Sequence, residues 1–238
     1  EIKFIKEAGR MLREVKNIIK QNIVEGITTK ELDSIAENAI YKLGGKPGFK
    51  GLYGFPGTIC SSFNEEIVHG IPSSRKIKNG DILSVDCGVI YEEFNSDSAF
   101  TVSIGNIPSN IKTLINTTEE SLKLGIQEAK PGNHIGDIGH SIEKYSLSKG
   151  FSVVKEYVGH GIGKKLHEDP QIPNYGQKSS GPKILSGMAL AIEPMLIEGN
   201  EKTVVDEDGW TVKTADSSMS AHFEDTIIIT NDSFEIVT

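Results

Sequence analysis

Four acids and a histidine stand in settings where carboxylate and imidazole groups are costly unless they act together. Asp86 and Asp97 lie on either side of a polar stretch at Tyr91 to Glu93, inside a largely β-branched, alternating run from Ile82 to Ile104. That pattern predicts a hairpin with the two carboxylates directly opposite or on the adjacent diagonal. Like charges so placed need a shared proton or a cation between them, unless both point to solvent on an edge hairpin. Glu193 sits in the apolar run Met188-Ala-Leu-Ala-Ile-Glu-Pro-Met195 with no basic residue within five positions, and Glu224 precedes the apolar Thr226-Ile-Ile-Ile229. An ionised carboxylate there requires a partner, either a remote salt bridge or a metal. Tyr157-Val-Gly-His160-Gly-Ile-Gly163 surrounds one histidine with glycines, and Leu166-His167-Glu168-Asp169-Pro170 follows. This is neither H-E-x-x-H nor a nucleotide-binding G-x-G-x-x-G, and the glycines read as a loop allowing close backbone approach around a ligating or a structural imidazole. Together these residues offer oxygen-rich binding of a divalent cation.

The elements that must position them can be read from periodicity. Ile5, Ala8, Leu12, Val15, Ile18 and Ile19 recur at helical spacing, predicting a helix from about Ile2 to Ile23. Thr28-Thr-Lys-Glu31 reads as a capping box opening a second helix that Gly44-Gly45 stops. Lys46 to Pro56, rich in Gly, Pro and aromatics, is loop chemistry with apolar area to offer. The order then repeats. A shift of 106 residues lays Ile5 on Ile111, Gly26 on Gly132 and Gly44 on Gly150; a shift of 107 lays Asn79-Gly-Asp-Ile-Leu-Ser-Val-Asp86 on Ser186-Gly-Met-Ala-Leu-Ala-Ile-Glu193. Asp86 and Glu193 thus fall at equivalent positions. We expect an α+β fold, one catalytic domain over residues 1–238, with similar halves of about 1–105 and 106–238 sharing an antiparallel sheet covered by helices on one face.

Composition removes other classes. The 238 residues carry a net charge of −8 and are 37% hydrophobic, a globular composition without the basic surface that nucleic-acid binding normally uses. No apolar run approaches the roughly 18 residues of a membrane span, and the charged opening segment is unlike a signal peptide. Cys60 and Cys87 form no C-x-x-C pair, which suits a reducing compartment and makes cytoplasmic the expected location.

Asn64-Glu-Glu-Ile-Val-His69-Gly-Ile-Pro72, the Asp86/Asp97 hairpin, Gly159-His160-Gly-Ile-Gly163 with His167-Glu-Asp-Pro170, Ile192-Glu193-Pro-Met195 and Phe223-Glu224 follow one another in the order found in methionine aminopeptidases. The chain resembles the type I, bacterial kind of that M24 metallopeptidase group over essentially its whole length. The short interval between Glu193 and Glu224 leaves no room for the helical insertion of type II relatives. The resemblance implies a pita-bread fold and removal of N-terminal methionine from nascent proteins and peptides. It also implies two divalent metal ions (Mn, Fe, Co or Zn) held by Asp86, Asp97, His160, Glu193 and Glu224, with Asp97 and Glu224 bridging. Four carboxylates and two divalent ions sum close to neutral, which answers the electrostatic objection to burying them.

By the same resemblance, a hydroxide shared by the metals attacks the first peptide carbonyl. His167 donates to the carbonyl oxygen, His69 contacts the scissile nitrogen, and Glu193 carries a proton to the departing amine. Leu52, Phe55, Cys60, Leu166 and Trp210 match the methionine side-chain pocket. Leu52, Leu166, Gly88 and His222 depart from common family patterns. The expected partners are nascent polypeptides, with the ribosome nearby, and the expected state is a monomer. A proline-directed relative of the same fold usually carries an extra N-terminal domain, and a metal-free binding relative lacks the ligands that survive here.

Overall fold

The computed structural model describes residues 1–238. The first half runs α1 (Ile2–Asn22), α2 (Thr29–Leu43), β1 (Lys46–Pro47), a short 3-10 turn (Leu52–Gly54), β2 (Ile59–Phe63), β3 (Glu66–Val68), β4 (Ile82–Tyr91) and β5 (Phe94–Ser103). The second opens again with two helices, α3 (Ser109–Glu128) and α4 (Ile135–Ser148), then β6 (Ser152–Val153), β7 (Gly159–Gly161) and β8 (Glu168–Ile172). It continues through β9 (Ala189–Ile192), β10 (Met195–Ile197), β11 (Thr203–Val205), β12 (Val212–Thr214), β13 (Ser220–His222), β14 (Asp225–Ile229) and β15 (Phe234–Ile236).

The local signals act as their chemistry demands. Thr28 Oγ1 accepts from the Glu31 amide at 3.2 Å, the Glu31 carboxylate accepts from the Thr28 amide at 2.8 Å, and Gly44 ends α2 in the left-handed conformation at φ 89°. The second half repeats the device with His134 and Asp137 at the start of α4. β4 and β5 pair from Ile82↔Ser103 to Tyr91↔Phe94, so their turn is only Glu92-Glu93, both at positive φ as a tight hairpin requires.

Each half buries its helices against its own strands. Met11, Leu12, Val15 and Ile19 of α1 meet Leu32 and Ile40 of α2 over Leu83, Val85 and Phe100; Leu114, Leu122, Ile138 and Ile142 of α3 and α4 cover Leu190, Ile192, Leu196 and Ile227. Phe223 touches both cores and joins them. The sheet is not one uninterrupted ladder. It is divided into segments, with breaks at Glu193-Pro194 between β9 and β10 and at Phe223-Glu224 between β13 and β14. Proline has no amide hydrogen to continue the ladder. Across the junction, Ala99 and Glu224 exchange both backbone hydrogen bonds, at 3.0 and 3.2 Å, so β5 stitches the halves together.

One expectation changes. His160 lies in the short strand β7, paired to Gln171 of β8 and Ala191 of β9, rather than in a glycine loop. Its glycines serve packing, since a Cβ on Gly159 would stand 2.4 Å from the Ala191 carbonyl oxygen and one on Gly161 2.1 Å from that of Asp169. No helix is long and apolar enough to cross a membrane.

Thr28→Ala removes one capping partner and should lower stability by about 1 kcal/mol, a fall of roughly 2–4 °C in Tm. Differential scanning calorimetry would measure it, and divalent-ion affinity should not change.

Candidate metal centre and substrate cavity

Strand register brings the acids together. Asp86 pairs with Ala99 across β4 and β5, Ala99 pairs with Glu224, and Asp225 pairs with Ile192, so one further step of that ladder faces Glu224 toward Glu193. Asp97 stands two residues from Ala99 on the same face of β5, opposite Gly88, which makes it the diagonal neighbour of Asp86. His160, opposite Ala191, enters from the next strand. Ala99 is small, so the centre of this row stays open to the flanking carboxylates.

One ligand atom each from Asp97, His160 and Glu224 lies within 4.8 Å of the others, and all three residues are buried. Oxygen and nitrogen ligands at about 2.0–2.6 Å from a common divalent ion have mutual spacings of this size. Asp86 adjoins Asp97 closely enough to share a proton with it, and Glu193 Oε1 lies 3.5 Å from His160 Nε2. No Lys or Arg forms an ion pair with any of the four carboxylates. Asp86 Oδ1 and Glu224 Oε1 are buried without a hydrogen-bond partner.

Burial, then mutual repulsion, sets the protonation. Desolvation raises Asp86 to about 7. Asp97, Glu193 and Glu224 are also held well above the carboxylate range, first by burial and then by each other's charges, with Asp86 contributing to all three. The histidines move the opposite way. Burial lowers His160 to about 4, while His160 Nδ1 lies 2.9 Å from the Gly161 carbonyl oxygen. A carbonyl only accepts, so Nδ1 carries the hydrogen and Nε2 presents a lone pair toward the carboxylates. Orphaned carboxylate oxygens, an unprotonated imidazole nitrogen and no neutralising base fit a divalent cation.

Contacts behind the acids fix their strands. Thr226 Oγ1 accepts from the Asp97 amide at 2.9 Å and donates to its carbonyl at 2.8 Å, while the Ser98 amide donates to Asp97 Oδ1 at 3.0 Å. Ser98 Oγ donates to the Glu224 carbonyl at 2.6 Å, and Asn174 Nδ2 donates to that of Glu193 at 3.1 Å.

A cavity of about 750 Å³ opens above this floor. Its lining includes Asp86, Asp97, His160, Glu193 and Glu224 together with His69, His167, Leu52, Phe55, Cys60, Leu166 and Trp210. The last five form an apolar wall with Phe49 and Ile162. Trp210 meets Phe55 edge-on at 5.2 Å between ring centroids, and the Trp210 and Thr211 amides both donate to Asp208 Oδ1 at 2.8 Å. His167 stands at the rim, its ring edge-on to His160 at 4.5 Å. His69, at a left-handed φ of 60°, meets Tyr157 edge-on at 5.7 Å. Burial lowers the pKa of both, with the charge of His167 adding to the effect on His69, so each is a neutral ring with one N–H to give.

Phe49 and Tyr157 also line the cavity and were not among the sequence candidates. Tyr157 carries a signal, three positions before His160. Phe49 is betrayed only in space: a Cβ on Gly88 would lie 2.8 Å from its Cε1, so the glycine makes room for this ring.

A two-halved α+β chain whose halves meet at buried, uncompensated carboxylates and one bare imidazole nitrogen defines a metal-dependent enzyme of pita-bread architecture. The chain matches Metallopeptidase family M24 over residues 3–231. It is 51% identical to methionine aminopeptidase 1 of Bacillus subtilis and 49% identical to the methionine aminopeptidase of Clostridium perfringens, each over 100% of this chain and 96% of the relative. The crystal structure of methionine aminopeptidase from Thermotoga maritima superposes with a TM-score of 0.98 at 44% identity, covering 100% of this chain and 96% of that one. The chain belongs to metallopeptidase family M24.

Because the metal-free acids titrate above their unfolded values of about 4, the folded chain holds more protons than the unfolded one. Its stability therefore falls as pH rises from about 4 through the folded values, near 7 for Asp86. Manganese or cobalt takes the place of those protons. The gain in Tm on adding either ion should grow between about pH 5 and pH 8; a gain independent of pH would count against binding by these groups.

Proposed function

We infer that the protein is a metal-dependent aminopeptidase that removes N-terminal methionine from nascent polypeptides. The observation that carries this is the juxtaposition, in one cavity, of four unneutralised carboxylates and an apolar wall. Full-length relatives named methionine aminopeptidase support it. Asp86, Asp97, His160, Glu193 and Glu224 would hold the divalent metal. We assign two ions on the family resemblance, and the charge of four carboxylates, which matches two divalent cations, agrees with it. Mn, Fe, Co and Zn all suit oxygen ligands with one imidazole.

Bound there, divalent ions supply Lewis acidity and a water acid enough to act as nucleophile at neutral pH. The protein's own groups do the rest. The apolar wall of Leu52, Phe55, Cys60, Leu166 and Trp210 takes the methionine side chain, which sets the first peptide bond over the acidic floor. His167, neutral and at the rim, donates its N–H to the carbonyl oxygen and steadies the negative charge that grows there. His69, its backbone held in a strained conformation beside Tyr157, orients the scissile nitrogen. Glu193, whose Oε1 faces His160 across the acidic floor, carries the proton to the departing amine.

Every one of these groups comes from a single chain, which supports a monomeric enzyme with residues 1–238 as one catalytic domain, its halves dividing near residue 105. Two free, buried cysteines support a reducing, cytoplasmic setting.

Metal removal should abolish release of methionine from a Met-Ala-x peptide, and re-addition should restore it. With the metal in place, His167→Ala should lower kcat by about 10²–10³; unchanged turnover would discard its role, and a preference for x-Pro peptides would point to the proline-directed reading.

A further inference from the structure

His222 is a buried polar group that the reaction leaves unused. It is 1% exposed, and its Nε2 has no hydrogen-bond partner. The backbone around it is held firmly. Thr101 Oγ1 accepts from the His222 amide at 3.0 Å and donates to the His222 carbonyl at 2.8 Å, and the Met195↔His222 register sets the ring beside the Glu193-Pro194 break. From there Nε2 lies 3.6 Å from Glu193 Oε2.

Glu193 is thus flanked by two imidazoles, one beside each carboxylate oxygen. On the Oε1 side, His160 Nε2 lies at 3.5 Å and carries no hydrogen, because His160 Nδ1 gives its own to Gly161. Two lone pairs facing each other call for a proton or, in its place, a cation between them. On the Oε2 side no other Lys, Arg or His nitrogen lies within 4 Å. Once a cation on the Oε1 side keeps Glu193 ionised, a lone pair on His222 Nε2 would add a second repulsive contact in the same space, whereas a hydrogen there converts the contact into a hydrogen bond after a small rotation of either side chain.

We propose that His222 is a positioning residue for Glu193: its Nε2–H donates to Glu193 Oε2 and turns the opposite oxygen, with His160 Nε2, toward the metal. The role rests on the reading of Glu193 as a metal ligand, and it gives a function to a residue that departs from the family pattern. Partners of this kind around ligating groups typically change metal affinity about 10- to 100-fold when removed.

The test measures cobalt binding by calorimetry and by the visible absorption of the bound ion, in the wild type, His222→Gln and His222→Leu. Glutamine retains an N–H donor and should bind cobalt within about threefold of wild type, with the same spectrum. Leucine fills similar space without a donor and should bind at least about tenfold more weakly, with a shifted spectrum. Wild-type affinity in the leucine variant, or equal loss in both variants, overturns the proposal. Uptake of no cobalt by the wild type overturns instead the metal-site reading beneath it. An independent measurement needs no variant: nitrogen-15 spectra of histidine-labelled, zinc-loaded protein report which nitrogen of His222 holds the hydrogen. Nε2–H is expected, and Nδ1–H overturns the role whatever the variants do.

Discussion

Charge imbalance at the junction of the two halves is the constraint around which the rest of the structure is organised. Asp86, Asp97, Glu193 and Glu224 converge there without an ion-paired lysine or arginine; burial lifts all four above the ordinary carboxylate range, and repulsion adds to it for Asp97, Glu193 and Glu224. Such a group is tolerable only with bound protons or bound cations. The surrounding chain keeps it from escaping either by opening or by recruiting a base. Hydrogen bonds from Thr226, Ser98 and Asn174 reach the backbone of the acid-bearing segments, so the carboxylates remain free to face one another.

The repeated architecture explains how so unfavourable an arrangement is assembled. Each half contributes an acid at the equivalent position of its strand, Asp86 in β4 and Glu193 at the end of β9, over its own helix-covered core. The halves therefore stabilise themselves away from the site, and the seam between them carries the repulsion. Breaks in the sheet at Pro194 and at Phe223-Glu224 fall where ligands are needed. Ladder continuity is given up there and recovered by the Ala99 and Glu224 backbone bonds.

Much of this was legible in the residue pattern because the governing forces are local. A hairpin turning near Tyr91 to Glu93 follows from alternation and polarity, while only the paired register narrows the turn to Glu92-Glu93 and selects the diagonal over the directly opposite placement of Asp86 and Asp97. Capping at Thr28 and Glu31 likewise depends on neighbours in sequence. His160 was harder to place. Gly-His-Gly has little intrinsic strand preference, and β7 exists because two flanking strands approach closely enough to exclude any Cβ at Gly159 or Gly161. Phe49 was invisible for a similar reason, since only the folded chain lays its ring over Gly88. The family resemblance supplied ligand and pocket assignments that spacing alone left open, whereas packing shows that Gly88 leaves room for the Phe49 ring.

The same division between local and tertiary causes bears on the histidines, which have different duties despite a shared residue type. His160 and His222 are both buried, and burial lowers both, to about 4 and about 3. Being neutral, neither offsets the acids' charge. What distinguishes them is the partner of each ring nitrogen. Gly161 claims the hydrogen of His160 Nδ1 and so frees Nε2 as a ligand, while His222 faces a carboxylate oxygen from the opposite side of Glu193. His69 and His167 lie instead on the cavity wall and at its rim. Four imidazoles are thereby sorted by backbone geometry, two beside the carboxylates with different partners at their ring nitrogens and two on the cavity wall and rim, and the asymmetry of the acidic floor arises from that sorting rather than from the nearly symmetric strands that carry the acids.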